Sequence, residues 1–234
     1  MTDATPSPNP NRLLRIPRHE FEELRPYLEQ VHLTPRDFYL PAGEPLAHVY
    51  FPYSGVVSLI VGMQSGDTVE VATVGHQGML GISVLLEADP ASYDMVCQVP
   101  GDAVRLTAQT FVELNHKLPN FRRLLLRYSL CLFHEVARTA ACNRLHTIEQ
   151  RLARWLLLCG DQLAADVYPL THESLAHMLG ARRPYVSRTA RALQQAGVIQ
   201  YRRGMLRILD RAGLEAVACE DYRATQQEYS RLLG

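Results

Sequence analysis

The sequence predicts an α+β protein with an N-terminal antiparallel β-roll, a long helix and a C-terminal winged helix-turn-helix. Short β-prone runs separated by Gly and Pro continue to about residue 107. A stretch without Gly or further Pro follows Pro119, and a helix–turn–helix pattern with a β-hairpin follows residue 170. The predicted units are a disordered tail (1–12), a β-roll (13–118), a long helix (119–145), a winged helix-turn-helix (146–210) and a C-terminal helix (211–234).

The composition is that of a folded chain with balanced charge. The 234 residues include 24 basic and 24 acidic side chains and 47% hydrophobic residues, which excludes an acidic disordered chain and a histone-like polycation. The five Cys are scattered without a C-x-x-C pair, so we expect reduced thiols and neither a disulfide framework nor a zinc finger. No apolar run is long enough to span a membrane, and the N-terminus is polar. We therefore expect a cytoplasmic protein.

The first half of the chain predicts a short helix and then a β-roll. The first eleven residues hold three Pro among polar residues and predict a disordered tail. Phe21, Leu24 and Leu28 recur at helical spacing and predict a short helix around residues 18–29. The β-prone runs that follow end in Gly- or Pro-containing turns, which favours an antiparallel sandwich or barrel over a βαβ array. These runs lie at 38–40, 48–51, 56–61, 68–74, 96–99 and 103–106.

A long amphipathic helix is predicted from Pro119 to Cys142, with a narrow seam typical of a coiled coil. Periodicity alone is equally compatible with a seam that packs on its own domain and with a dimer interface. The seam residues are Phe121, Leu125, Tyr128, Leu132, Val136 and Thr139. A second helix over 147–159 carries Trp155 among leucines, and we expect Trp155 in the core.

Residues 170–196 have the pattern of a helix-turn-helix. Thr171 is placed to cap the first helix, and Gly180 supplies the left-handed conformation that a sharp turn needs. Pro184 fits the first turn of the second helix. Val186, Ala190 and Leu193 would form its buried face.

The exposed face of this region is strongly basic. Seven Arg and no Asp or Glu lie between Ser174 and Leu209, which fits neutralisation of phosphates and Arg readout of guanine edges. Residues 197–201 and 205–209 read as two strands of a wing, with Arg202-Arg203-Gly204 as the turn. The candidate DNA-binding residues are Thr171, Arg182, Arg183, Pro184, Tyr185, Ser187, Arg188, Arg191, Arg202 and Arg203.

The order of a Gly-punctuated β-roll, a long helix and the segment from Leu170-Thr171 to Val198-Ile199 with its wing resembles the Crp–Fnr family of transcription regulators, over about 13–210. The resemblance implies a cyclic-nucleotide-binding-like jelly roll and a homodimer paired along the 119–142 helix. It also implies recognition helices in successive major grooves of a near-palindromic site on double-stranded DNA, with RNA polymerase as a candidate partner. Arg183, Pro184 and Arg188 fall where the family places base- and phosphate-contacting residues. Many members carry an acidic residue in place of Pro184, so the preferred half-site should differ.

The sensor half departs from members that bind cyclic AMP. In those members, Glu follows a glycine and an Arg-Ser pair lies some ten residues on. Here Gly81 precedes Ile82-Ser83, the later pair aligns near Ser92-Tyr93, and no Arg lies between Arg36 and Arg105. We therefore predict no response to cyclic AMP. No Cys precedes Cys97, which disfavours an N-terminal iron–sulfur cluster. We predict no cofactor and no metal site, and the effector is unknown; haem with a His ligand is the alternative left open.

Two alternatives compete with a DNA-binding regulator. The first is a ligand-sensing β-roll protein whose basic C-terminal domain docks a protein partner. The second is an enzyme with a β-roll pocket, which residues 80–99 would furnish mainly with Ser83, Glu87, Asp89 and Asp94. No paired-carboxylate or Ser–His–Asp spacing supports catalysis, so we expect no enzymatic activity. Residues 75–81 superficially suggest a phosphate loop but lack the following Lys-Ser/Thr, and we interpret their glycines as β-roll turns.

Overall fold

The computed structural model describes residues 9–35, 37–88 and 90–234, except the side chains of His172 and Glu173. The N-terminal part combines antiparallel sheets with helices, so the predicted α+β class is confirmed. One sheet has the order β1-β7-β3 and the other the order β2-β6-β4-β5. The elements are α1 (Arg18–Leu24), β1 (Glu29–Leu33), β2 (Tyr39–Leu40), β3 (His48–Pro52), β4 (Val56–Gly62), β5 (Thr68–Val74), α2 (Ile82–Leu85), β6 (Asp94–Val99), β7 (Gly101–Thr107), α3 (Ala108–Lys117) and α4 (Pro119–Leu145).

The C-terminal part contains a three-stranded wing sheet and five helices among the described residues. The sheet order is β8-β10-β9. The elements are α5 (Ile148–Leu163), β8 (Val167–Pro169), α6 (His172–Met178), α7 (Arg183–Gln195), β9 (Ile199–Arg202), β10 (Met205–Ile208), α8 (Arg211–Val217) and α9 (Asp221–Leu233). Two helices therefore replace the single C-terminal helix that was expected after residue 210.

Strands β1 and β8, helices α2 and α3, and the end of helix α1 were not predicted. The helix expected to reach residue 29 ends at Leu24, continues as a 3₁₀ turn at Arg25–Tyr27 and gives way to β1. Strand β1 is largely exposed and pairs with one neighbour, β7, and only Val31 and Leu33 of its five residues are apolar, so its alternation is too short to mark a strand. Strand β8 has three residues, too few for a period to show.

The predicted disordered tail is wrong for its last residues, while residues 1–8 lie outside the described part of the chain. Asn11 is fully buried, and its side-chain amide donates to the carbonyl oxygens of Pro52 and Gly78, both at 2.8 Å. Its Oδ1 accepts from the Leu13 backbone N–H at 2.9 Å. The segment is ordered because Asn11 satisfies buried backbone groups of the roll, which a composition argument does not detect.

The predicted seam of α4 packs inside its own chain. Phe121, Leu125 and Tyr128 are at most 1% exposed and belong to the β-roll core, where the Phe121 ring lies 6.0 Å from that of Phe51. The Tyr128 hydroxyl donates to the carbonyl oxygen of Met79 at 3.3 Å. Leu132 is buried as well, and Val136 packs against the same core. The assignment of Phe121, Leu125, Tyr128, Leu132 and Val136 to a dimer interface is therefore wrong, because the roll occupies this face of α4. Thr139 is half-buried and accepts a hydrogen bond from Arg154 Nη2 of α5 at 3.2 Å.

The opposite face of α4 carries a second apolar row, which was not predicted from the sequence. Leu126, Leu130 and Phe133 are 44%, 48% and 70% exposed. Ala137 and Ala140 continue the row at the same four–three spacing and are also exposed or half-exposed. That spacing is the seam of a left-handed coiled coil. Helix α4 therefore has one row buried in the roll and one row facing away from it.

Close contacts join the β-roll to α5 and α9. Trp155 is buried, as predicted, and its indole N–H donates to Glu70 Oε1 at 2.6 Å. The Gly75 backbone N–H donates to Gln162 Oε1 at 3.0 Å. Helix α9 packs along α4, and the Tyr229 hydroxyl donates to Glu135 Oε2 at 2.9 Å. The glycine-containing segment 75–81 is thus a contact between the roll and the helices.

Gly78 provides a test of this packing. A Cβ atom at Gly78 would lie 2.8 Å from Tyr128 Cζ, closer than real Cβ contacts allow. Gly78→Ala should therefore lower the free energy of unfolding by roughly 1–3 kcal/mol, since the buried Tyr128 ring must shift. Gly62→Ala is the matched control, because nothing lies within 4 Å of its Cβ position. Equal denaturation midpoints for the two variants would contradict the packing described for α4.

Candidate nucleic-acid interface

The helix-turn-helix forms as the sequence predicts. Thr171 Oγ1 accepts from the Ser174 backbone N–H at 3.0 Å and caps α6. Gly180 has φ of +54°, and the Ala181 N–H donates to the Ala176 carbonyl to close the turn. Pro184 lies in the first turn of α7, where no intrahelical hydrogen bond is lost. These local features therefore set where α6 begins, where the turn closes and where α7 begins.

The buried face of α7 holds the helix to its domain and leaves a basic face exposed. Val186, Ala190 and Leu193 are at most 4% exposed and pack with α5 and the wing strands. At 100° per residue, Pro184, Arg188 and Arg191 point away from this core. The sequence-predicted residues on the exposed or half-exposed surface of α7 and its N-cap are Arg182, Arg183, Pro184, Tyr185, Ser187, Arg188 and Arg191.

Tyr185 and Arg188 form one local pair on this surface. The Arg188 guanidinium carbon lies 5.5 Å from the centroid of the Tyr185 ring, within cation–π range. Tyr185 is 51% exposed. The contact restrains both side chains one helical turn apart without neutralising the Arg charge.

The wing is anchored to α7 and presents Arg at its tip. Strand β9 pairs with β10 through Arg202 and Met205, and Arg203 and Gly204 have φ of +51° and +77°. Positive φ at both central residues is typical of a type I′ hairpin turn. Gln194 Oε1 accepts from the Tyr201 N–H at 2.8 Å, which couples α7 to the wing.

The structure leaves most of the predicted residues exposed on α7, its N-cap and the wing of the C-terminal domain. Arg202 and Arg203 are exposed at the wing tip, and none of the seven Arg forms an ion pair within the described chain. Thr171 differs, because its hydroxyl is engaged as the α6 cap and lies 2.8 Å from the Ser174 hydroxyl. Gln194 was missed, and no pattern in the sequence marks its bond to the wing.

Arg207 is a further exposed cation on the wing sheet. It alternates with the buried Leu206 and Ile208, so strand periodicity already gives its direction. It lines a shallow surface with Arg202 and Arg203. At the N-terminal end of α7, Arg182 and Arg183 line a separate cleft of about 790 Å³, and Asp67 of the β4–β5 hairpin lines the same cleft.

Comparisons with known proteins agree with this arrangement. The family described as cyclic nucleotide-binding domain matches residues 30–117, and the family described as Crp-like helix-turn-helix domain matches residues 150–217. The chain belongs to the Crp–Fnr family. It combines the sensor-type and DNA-binding domains of the family's transcription regulators. Among curated proteins, no sequence matches this chain.

Solved structures share the fold of this Crp–Fnr member at low sequence identity. FixK2 from Bradyrhizobium japonicum is 17% identical, with a TM-score of 0.69 over 82% of this chain and 98% of that one. A CRP-family regulator from Thermus thermophilus is 19% identical, with a TM-score of 0.65 over 80% and 96%. The c-di-GMP-responsive regulator CLP from Xanthomonas campestris is 16% identical, with a TM-score of 0.64 over 81% and 98%.

Within the described residues, no helix combines the length and the apolar character needed to cross a bilayer.

The sensor domain of this Crp–Fnr member has an apolar segment where the resemblance expects a phosphate site. Gly81 has φ of +98°, and the four residues of α2 after it are buried. Arg105, the next Arg along the chain, is bound to Glu29 by two hydrogen bonds of 2.9 and 3.0 Å. The segment itself therefore supplies no guanidinium to receive a buried phosphate.

A buried carboxyl connects the sensor domain to the DNA-binding domain. Glu70 on β5 accepts from the Ser58 hydroxyl and from the Trp155 indole. Burial raises the pKa of Glu70 to about 8, and the nearby Glu135 carboxylate acts in the same direction while Arg154 opposes it. The folded protein therefore holds a proton on Glu70 that an unfolded chain releases at lower pH.

This proton predicts a pH-dependent stability. Since the pKa of Glu70 is raised from 4.5 to about 8 on folding, its contribution is complete below 4.5 and is lost as pH rises through 8. At about 1.4 kcal/mol per pKa unit, wild type should lose several kcal/mol relative to Glu70→Gln between about pH 5 and about pH 9. Thermal unfolding across this range measures the effect. The exposed Glu44→Gln serves as the control, and parallel curves for wild type and Glu70→Gln would contradict the assignment.

Proposed function

We propose that this protein is a homodimeric, sequence-specific DNA-binding transcription regulator that reads a near-palindromic site with α7. The observation that carries the proposal is the set of seven Arg on α7, its N-cap and the wing, in a segment without a carboxylate. Exposed guanidinium groups without ion-pair partners in the described chain suit a polyanion, because no internal pair must break first. The proposal includes no enzymatic step.

The proposed contacts divide into base readout and phosphate binding. Arg183 and Arg188 lie near the N-terminal end of α7, the end that enters the major groove in this motif, and Arg forks read guanine edges. We assign Arg202 and Arg203 at the wing tip to the phosphate backbone. Pro184 offers no hydrogen-bonding group to a base edge. The surface is completed by Arg182, Tyr185, Ser187 and Arg191, and by Thr171 through the start of α6.

The proposed dimer uses the outer row of α4. Leu126, Leu130 and Phe133 are exposed at coiled-coil spacing on a face that the roll leaves free. A second copy related by a twofold axis would bury the same row on both helices. Such a dimer presents two α7 helices, and half-sites about one helical turn apart require this arrangement.

We also propose that cyclic AMP is not the effector. The four residues after Gly81 are buried and three of them are apolar, and the next Arg along the chain, Arg105, is engaged by Glu29. A cyclic phosphate there would lose its hydration without gaining a cation. A different ligand, or direct control by another signal, would set the arrangement of the DNA-binding heads.

The base-reading assignment predicts distinct effects of single substitutions. Arg183→Ala and Arg188→Ala should each weaken binding to the selected site by about 1–3 kcal/mol and relax its sequence at one position. Arg202→Gln and Arg203→Gln should weaken binding to all sequences and reduce the salt slope by about one. Selection from random duplex DNA, followed by titration at several salt concentrations with and without cyclic AMP, measures both effects.

Arg223→Ala on α9 is the matched control, because Arg223 is exposed outside the basic surface. If all four variants bind duplex DNA with wild-type affinity, the proposed DNA interface is wrong. If the basic domain instead docks a protein partner, wild type should show no steep loss of duplex affinity between about 50 and 200 mM salt. An affinity that changes with cyclic AMP would overturn the effector proposal.

The dimer proposal predicts a change in mass. Phe133→Asp places a carboxylate in the exposed row of α4 and should convert a dimer of twice 26.4 kDa into a monomer, measured by light scattering. Tyr27→Asp, at an exposed aromatic residue outside the exposed row of α4, should remain dimeric. A dimeric Phe133→Asp protein, or a monomeric wild type, would contradict pairing through this row.

A further inference from the structure

Four potential metal ligands from distant parts of the chain meet at the end of α4. Cys142 lies in the last turn of α4 and His146 is its C-cap, four residues on and on the same side. Cys219 lies in the link between α8 and α9, and Asp221 is the first residue of α9. One ligand atom from each residue lies within 4.8 Å of the others. The cluster is enclosed, since both Cys and Asp221 are at most 3% exposed.

We propose that Cys142, His146, Cys219 and Asp221 bind one zinc ion. The atom separations support a tetrahedral site. Bond lengths of about 2.0–2.3 Å from zinc to N, O and S imply separations of about 3.8 Å for S···S, 3.6 Å for S···O and 3.3 Å for N···O. The corresponding distances are 3.5 Å between the two Sγ atoms, 3.8 Å from Cys219 Sγ to Asp221 Oδ2 and 3.3 Å from His146 Nδ1 to Asp221 Oδ2.

The imidazole is oriented as a ligand. His146 Nδ1 is buried and makes no hydrogen bond, although it lies 3.3 Å from Asp221 Oδ2. Its other nitrogen, Nε2, lies 3.4 Å from a Glu220 carboxylate oxygen. Metal-binding His residues commonly direct the second ring nitrogen to a carboxylate in this way. A metal ion at Nδ1 would satisfy the buried nitrogen.

The charges around the cluster also favour a divalent cation. Binding breaks two S–H bonds, releases both protons to solvent and forms two zinc–thiolate bonds. Two thiolates and the Asp221 carboxylate carry three negative charges, so a Zn²⁺ ion bound to them leaves one net negative charge. Arg138 Nη1, 3.1 Å from Asp221 Oδ1, balances that charge. Thiolate and imidazole ligands suit zinc and disfavour Mg²⁺ and Ca²⁺, which prefer oxygen.

The site lies outside both family-matched segments, between residues 117 and 150 and after residue 217. The spacing of Cys and His in the sequence does not reveal this site, because Cys219 and Asp221 lie at least 73 residues after His146. Four protein ligands without an open position are typical of structural zinc. The ion would tie the end of α4, just before α5 begins, to the α8–α9 link.

Metal content of the full chain tests the proposal directly. Protein purified under reducing conditions without chelator should contain one zinc per chain by elemental analysis, and Cys142→Ser/Cys219→Ser should contain none. Cys97→Ser, a buried thiol in the β-roll, should keep the zinc. Chelator should lower the melting temperature of wild type and of Cys97→Ser, and leave that of the double variant unchanged.

Cobalt binding gives a readout on wild type that does not depend on a variant folding. Metal-free protein titrated with Co²⁺ should show the intense absorption of a tetrahedral site with a thiolate-to-cobalt band, and zinc should abolish it. Asp221→Asn should retain the thiolate band and bind more weakly. Zinc-free protein with a cobalt spectrum of an oxygen-only octahedral site would overturn the proposal. So would a Cys142–Cys219 disulfide in metal-free protein isolated without oxidant, since the pair would then be a redox couple.

Discussion

The packing of α4 into the β-roll is the constraint on which the rest of the structure depends. Phe121, Leu125 and Tyr128 fill the roll and fix the rotation of the helix about its own axis. That rotation decides which row faces outward, and the outward row is Leu126, Leu130 and Phe133. It also determines the position at which α5 begins, because α5 follows directly after the C-terminal end of α4. The position of the DNA-binding head is therefore set by apolar packing in the first half of a 27-residue helix, away from the end that joins the head.

The sequence predicts the helix-turn-helix better than the long helix for a physical reason. Thr171, Gly180 and Pro184 act locally, through a cap, a positive φ and a missing N–H, so each shows its role without knowledge of the tertiary structure. Helix α4 carries two rows of four–three spacing, and periodicity alone cannot say which one the roll covers. Burial by residues far away in sequence makes that choice. The edge strand β1, the short strand β8 and the ordering of Asn11 depend on such distant partners as well.

The distribution of charge explains how a neutral chain acquires a strongly basic surface. Because the whole chain is neutral, a segment with seven Arg and no acid leaves the remainder seven charges negative. Outside that segment, Arg and acid are often paired with one another, as in the Arg105–Glu29 and Arg211–Asp161 contacts. A polyanion would be attracted to this segment and repelled by the net negative charge of the remainder. The asymmetry favours one orientation of approach, which net charge or isoelectric point does not reveal.

The contacts between the sensor and the DNA-binding head are polar in an otherwise apolar setting. The Glu70 carboxyl accepts a hydrogen bond from the Trp155 indole. The side chain of Gln162 accepts from the Gly75 N–H, and its backbone carbonyl oxygen lies 2.8 Å from His76 Nδ1. Buried hydrogen bonds of this kind specify one arrangement, because a small displacement leaves a donor or acceptor unsatisfied. Val56 and Val99 of the roll nevertheless belong to the apolar core of the head. The junction thus combines apolar burial, which tolerates small sliding motions, with hydrogen bonds, which do not. A signal that changes the state of Glu70 would act on the part of the junction that sets its geometry.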